Sequence, residues 1–243
     1  MRAITSHRDL AKVLSLLGFV SSIIKMERSS SKCSELSCSY NEPLLFVRPQ
    51  VVLLGPILFI LKRKELVMFK PREIELGAHT LLIRQLKATD AEDVLEVFKQ
   101  VCDETPFLGR PADTIAIDVD AERVILGATG KHYIGAFVDG KYVGNVSWKE
   151  GKTFRTRHRA TIGIGILQAY TGMHIGWHLL QAAEDVCKEE GFEQLTLTVA
   201  ARNINAQKLY TRFGFEQWGL ETEGIIYEDG SHDDMIYMSK KIV

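Results

Sequence analysis

Between residues 161 and 215 an apolar stretch, TIGIGIL, leads into a turn holding Gly172 and Gly176, then an amphipathic segment to Gly191, then LTLTVAARNINAQKLYTRFGF. This order reads as strand, glycine turn, helix, strand and short helix. It constrains the fold strongly, because the turn opens a helix directly after an apolar strand. Glycines lack a Cβ, so backbone N–H groups can approach a ligand closely, and the helix start adds unpaired donors and the positive end of its dipole. Such a turn suits an anionic phosphate group.

The rest of the chain from Leu81 is regular. LLIRQLK reads as a strand, Thr89 or Asp90 can cap a helix, and Val94, Leu95, Phe98 and Val101 mark that helix's apolar face. Residues 103–118, with Pro106, Gly109 and Pro111, predict a loop or broken helix, followed by a second helix over about 119–128. YIGAFVDG and KYVGNVSW are two strands joined by a hairpin at Asp139-Gly140. ATIGIGIL continues the sheet, and 172–190 is helical with Ile175, Leu179, Ala183 and Val186 inward. A helix over 205–213 closes at Gly214, with Phe215 returning to the core, before two last strands. The order is β, α, α, three β, α, β, α, two β, a mixed α/β (α+β) arrangement rather than a doubly wound one.

Charge is unevenly placed. Residues 1–67 carry 10 Lys/Arg against 5 Asp/Glu and residues 68–243 carry 20 against 26, for −1 overall. An acidic second part argues against nucleic acid and for a cationic partner such as an amine. Cys33, Cys38, Cys102 and Cys187 are too few for a secreted disulfide framework, and Cys33 and Cys38 have no second ligand pair nearby, so no metal is expected. Reduced thiols point to the cytoplasm. Residues 1–67 hold two apolar runs, 13–24 and 51–61, both short of the ~20 residues that cross a bilayer, so no stable span is expected. This region reads as a poorly ordered extension outside the domain, translated from upstream of a start at Met68. A peripheral membrane tether is the alternative.

Val199, Asn203, Ala206, Tyr210, Gly214 and Phe215 follow the glycine turn at the spacing Val-x-x-x-Asn-x-x-Ala-x-x-x-Tyr-x-x-x-Gly-Phe. Together with the turn over Thr171, Gly172, Met173, His174, Ile175 and Gly176, these residues resemble the GNAT superfamily of acyl-CoA N-acyltransferases, over about residues 79–243. The resemblance implies a central, mostly antiparallel twisted sheet, with splayed middle strands and flanking helices. It implies an N-acetyltransferase domain over 68–243 that uses acetyl-CoA as co-substrate and an amine acceptor, with direct transfer in a ternary complex, and it leaves a homodimer open. The cofactor would be held by Ile166, Leu167, Gln168, Thr171, Gly172, Met173, His174, Ile175, Gly176, Trp177 and Asn203. Acceptor choice would lie in the 103–118 loop and the last hairpin. The acceptor classes are a protein N-terminus, a polyamine or other small amine, or an amino sugar.

Acyl transfer needs a neutral attacking amine and a protonated leaving thiolate. The resemblance makes Tyr210 the acid, against the alternative of a tyrosine packed on the strands. Many relatives carry a glutamate where this chain has Thr161. His158, Glu150 or a water chain could take its place as the base. His174 stands where relatives have glycine, which costs on the order of 1 kcal/mol if its φ is positive. These departures motivate the alternative of a catalytically silent acyl-CoA-binding module.

Overall fold

The computed structural model describes residues 51–54, 57–60, 69–108, 118–129 and 132–243. Cys33, Cys38 and the apolar run 13–24 lie outside the described residues, as does 109–117 of the predicted acceptor loop. The second apolar run forms β1 (Val51–Leu54) and β2 (Ile57–Ile60), an antiparallel pair separate from the main sheet.

The main sheet has eight strands. They are β3 (Arg72–Leu76), β4 (His79–Gln85), β5 (Tyr133–Val138), β6 (Lys141–Glu150), β7 (Arg159–Ile166), β8 (Gln194–Ala200), β9 (Glu216–Ile226) and β10 (His232–Lys241). Their order is β3-β4-β5-β6-β7-β8-β10-β9. Every pair is antiparallel except β7 with β8. The helices are α1 (Ala91–Glu104), α2 (Val119–Thr129), α3 (Ile175–Glu189) and α4 (Ile204–Phe213). The mixed architecture expected from the sequence is present. β3 is an addition: its REIEL pattern alternates charge with apolar residues, as suits a half-exposed edge strand, and it gives no long apolar run to notice.

Each face of the sheet carries its own core. Leu179, Leu180, Ala183 and Val186 of α3 pack with Leu81, Ile134, Val146, Ile162 and Leu195. On the other face Val94, Val97 and Val101 of α1 and Leu126 of α2 meet Phe137, Tyr142 and Leu167. All four α3 positions read from the sequence are buried, whereas in α1 Val97 takes the core position and Phe98 is half-exposed.

Local signals account for most element ends. Asp139 (φ 49°) and Gly140 (φ 81°) are both left-handed, the backbone that a two-residue hairpin of this twist requires. Gly214 (φ 99°) ends α4, and the Phe215 N–H returns to the Tyr210 carbonyl at 2.9 Å, so the buried Phe215 ring lies edge-on to Tyr210. Asp90 precedes α1 without capping it. Its carboxylate instead accepts two bonds from Arg84, at 2.7 and 2.8 Å, and one from the Lys87 N–H at 2.7 Å.

Between Ala136 and Phe137 the β5–β6 register slips, leaving a bulge at Val143–Gly144. Gly144 (φ 152°) is required there, because a Cβ would land on the Gly165 carbonyl oxygen and 2.8 Å from Ile166 Cα. The bulge thus draws β6 tightly against the last residues of β7. Among the described residues no helix is long and apolar enough to cross a membrane.

Candidate functional site

β7 is bonded to β6 along its whole length but to β8 only at its start. The Gly151 N–H donates to the Arg159 carbonyl (3.1 Å) and the Leu167 N–H to the Val143 carbonyl (2.9 Å), so odd-numbered β7 residues turn their backbone groups toward β6. By the alternation of an extended strand, Ile162, Ile164 and Ile166 turn theirs toward β8. Pairing with β8 runs only through Arg159–Gln194, Ala160–Leu195 and Thr161–Thr196. Beyond it the strands part, and the N–H and C=O groups of Ile164 and Ile166 face the gap. The splayed middle strands implied by the sequence are therefore present.

The gap opens into a cleft of about 1300 Å³ whose floor is β7 from Ile162 to Ile166. One wall is formed by the glycine turn, the start of α3 and α4. Gln207 of α4 donates to the Ala200 and Ala201 carbonyls at 3.1 and 2.7 Å, which fixes α4 to the end of β8. The opposite wall is the end of α1 and the following Thr105–Leu108.

The glycine turn departs from the sequence expectation in detail. The Thr171 N–H and hydroxyl both donate to the Gln168 carbonyl, at 3.1 and 2.8 Å, so Thr171 builds the turn. Gly172 (φ 82°) has nothing within 4 Å of where a Cβ would stand, leaving its surface open. His174 has φ 60° and is the N-cap of α3 without a side-chain cap bond, so the β-carbon penalty applies. The N–H groups of Trp177 and His178 both donate to the His174 carbonyl, at 3.0 and 3.3 Å. The helix-start donors without an intrahelical acceptor are consequently those of Ile175 and Gly176. At Gly176 a Cβ would come within 2.9 Å of Leu209 Cδ2 and 3.5 Å of Ile166 Cδ1, so this glycine permits close packing of α3 on α4 and β7.

Ile166, Gln168, Thr171, Gly172, His174, Ile175, Gly176, Trp177, Asn203 and Tyr210 all line the cleft. Leu167 and Met173 do not: Leu167 is 2% exposed in the α1-side core, and Met173 packs on the α3-side core. Asn203 caps α4 by accepting the Ala206 N–H at 3.2 Å, which leaves its amide N–H groups for another partner. The Trp177 ring meets Phe213 edge-on at 4.9 Å and lies under Arg212. Lys208 and Arg212, one turn apart on α4, add cations to this wall. Their spacing of four residues on the expected 205–213 helix was the signal that could have found them.

Tyr210 is 7% exposed, and burial pushes its phenol above the usual range, so it keeps its proton at neutral pH. Burial, then the neighbouring His174, holds the His178 imidazole below its ordinary value. Thr161 carries no base: its hydroxyl faces that of Thr196 at 3.1 Å. His158 and Glu150 stand at the paired end of β7, beside the Arg159–Gln194 and Ala160–Leu195 registers, and neither lines the cleft. Neither can therefore act directly on a group held at Ile164. Among the described residues no three His, Cys, Asp or Glu side chains converge in a way that could hold a metal.

A cleft of this form, between splayed strands and beside a glycine turn, can be compared with known proteins. The model of the acetyltransferase (GNAT) family matches residues 96–215. A crystal structure of an acetyltransferase of the GNAT family from Streptococcus pneumoniae is 30% identical, with a TM-score of 0.62, covering 66% of this chain and 99% of that one. A Bacillus subtilis (strain 168) protein, provisionally named a ribosomal protein bS18-alanine N-acetyltransferase, is 34% identical over 73 residues. Those residues are 30% of this chain, and the match spans about half, 47%, of that relative's length. A provisionally named acetyltransferase from Salmonella typhimurium, yncA, solved with acetyl-CoA, shares the fold at 15% identity (TM-score 0.59, covering 67% of this chain and 94% of that one). The chain belongs to the GNAT acetyltransferase family, a family of acyltransferases.

Proposed function

We propose that this protein transfers the acetyl group of acetyl-CoA to a primary amine by direct attack in a ternary complex. The observation that carries this reading is the unpaired edge of β7, which joins the open glycine turn to the Tyr210 phenol within one cleft. The free N–H groups at Ile175 and Gly176, with Lys208 and Arg212 nearby, fit a pyrophosphate. The backbone groups of Ile164 and Ile166 fit an amide-bearing arm laid alongside as an extra strand. Bound acetyl-CoA supplies the activated acyl group as a thioester.

The acceptor amine then forms the C–N bond as the C–S bond breaks. Tyr210 gives its phenolic proton to the sulfur, and the proton lost by the amine leaves through solvent and restores the phenol. The names of the relatives support an amine acceptor, with a protein N-terminus, a polyamine or another small amine as the classes to test. We place the activity in residues 68–243 and in the reducing cytoplasm, where Cys102 and the desolvated Cys187 stay buried thiols outside any disulfide. The test is release of free CoA thiol from acetyl-CoA over a mixed amine panel. Amine-dependent release is expected. Calorimetric CoA binding with no release for any amine would instead favour a silent acyl-CoA-binding module.

A further inference from the structure

The walls of the cleft differ in charge. Lys208, Arg212, His174 and His178 line it from α3, its preceding turn and α4, whereas among the described lining residues Glu104 is the one carboxylate, and it enters from α1. Glu104 is the last residue of α1, a helix with no basic residue in its final turn, so the negative end of the helix dipole adds to its charge. Its carboxylate is held by two neutral donors. Gln100 Nε2 gives a bond to Oε1 at 2.8 Å, and the Gln168 N–H gives one to Oε2 at 2.7 Å. No Lys or Arg in the described residues pairs with it. A positioned anion facing a cleft, with no counter-charge among the described residues, is arranged to receive a cation.

The floor beside it is cut to admit one. Gly163 and Gly165 point their missing side chains to the α1 face, and a Cβ at either would meet nothing nearer than 3.7 Å. Neither glycine has the positive φ that would demand it. The protein therefore has room for alanine at both positions and leaves them bare. Phe107 and Leu108 bound this space on one side.

The geometry points to Glu104 as the anchor for a second positive charge on the acceptor, so that the preferred substrate is a dicationic amine. This inference rests on the acetyl-transfer reading above. The second charge is essential to it, because the reacting nitrogen must be neutral when it attacks and cannot stay ion-paired. Glu104 is a specificity residue here, and it also ties the end of α1 to Gln168, two residues past β7.

The Glu104→Gln variant separates these two roles. Its amide oxygen still accepts the Gln168 N–H, and Gln100 can turn its own amide to match, so the α1–β7 tie survives while the charge is lost. The probes are 1,4-diaminobutane and n-butylamine, which share a reacting end and differ in the second ammonium. The wild type is expected to prefer the diamine by about tenfold in kcat/KM, the scale of one moderate charge interaction. E104Q should abolish that preference through KM for the diamine, with KM for acetyl-CoA and kcat for butylamine unchanged. Retention of the preference in E104Q, or a parallel loss of acetyl-CoA affinity, overturns the proposal. Calorimetric binding of the diamine to the CoA-loaded protein reads the anchor without turnover. If the wild type acetylates neither amine, the acetyl-transfer reading fails, yet tighter diamine binding by wild type than by E104Q still upholds the anchor. Binding that is absent in the wild type or equal in both overturns it.

Discussion

Two parts of the sheet use the same residue types for opposite ends. In the closed part, β4 to β6 with the start of α1, charged and phenolic groups are matched inside the protein, although Gln85 Oε1 is buried without a partner: Asp90 takes both Arg84 bonds, and the buried Tyr142 hydroxyl donates to Asn145 at 2.8 Å. In the open part, where β7 leaves β8, Glu104 has no cation among the described residues, and Ile164 and Ile166 have no β8 partner. Tyr210 is buried like Tyr142 but lines the cleft instead of contacting another polar side chain. Bonding capacity left unmatched beside a cleft marks function, and the same groups fully matched in a core mark stability.

Two glycines of the β6–β7 pair, Gly144 opposite Ile166 and Gly163 opposite Ser147, test this contrast most severely. Gly144→Val forces a side chain into the backbone of β7 at a left-handed φ, and a loss above ~4 kcal/mol, or failure to fold, is expected in denaturant unfolding. Gly163→Ala should stay within ~1 kcal/mol of wild type, since its Cβ would meet only Ser147 Oγ at 3.7 Å. Equal stability of the two variants would erase the distinction between closed and open parts.

A pair of tyrosines sharpens it further. Tyr210→Phe should lower turnover by ~10²-fold while thermal stability and acetyl-CoA affinity hold, as loss of a general acid implies. Tyr142→Phe should do the reverse, costing ~1 kcal/mol of stability with turnover unchanged. Steady-state kinetics beside thermal melts decide between them, and unaffected turnover in the Tyr210 variant makes that residue structural.

Asp90 supplies a pH signature for the closed part. Burial works to raise its carboxyl, but the Arg84 bonds, the Lys87 N–H and the nearby positive charges outweigh it and hold the group below the usual carboxylate range. A depressed folded value means the contribution is present above the unfolded value of ~3.9 and is lost as pH falls through the folded one. Asp90→Asn should therefore melt earlier by about 2 kcal/mol at pH 7, with the gap to wild type closing below about pH 4. A gap independent of pH would mean that the charge of Asp90 contributes nothing.

The smallest effect is expected in the turn itself. His174→Gly removes a β-carbon held at φ 60° and should stabilise by up to ~1 kcal/mol, with acetyl-CoA affinity kept or improved. Weaker affinity with unchanged stability would show that the imidazole contributes to the cleft as a ligand group.

Short-range chemistry made much of this molecule legible before any fold was known. Asp139-Gly140, the Gly172 turn and the Gly214 stop each act within a few residues, so their backbone geometry follows from side-chain type alone. The lining named between Ile166 and Trp177 comes from the family resemblance; it misses Tyr170 and includes Leu167 and Met173, whose side chains turn into the two cores. β3 escaped notice because an edge strand of alternating charge carries little periodic signal.

Sequence by itself determined the strand–turn–helix order and carried the resemblance to the family. Tertiary structure alone decided where β7 and β8 separate, because that depends on register between strands joined by a helix. It also set His158 and Glu150 at the paired end and brought Glu104 to within 2.7 Å of a backbone N–H 64 residues away. No local pattern encodes such a meeting; it arises only when α1 packs across the sheet and its last turn reaches the end of β7.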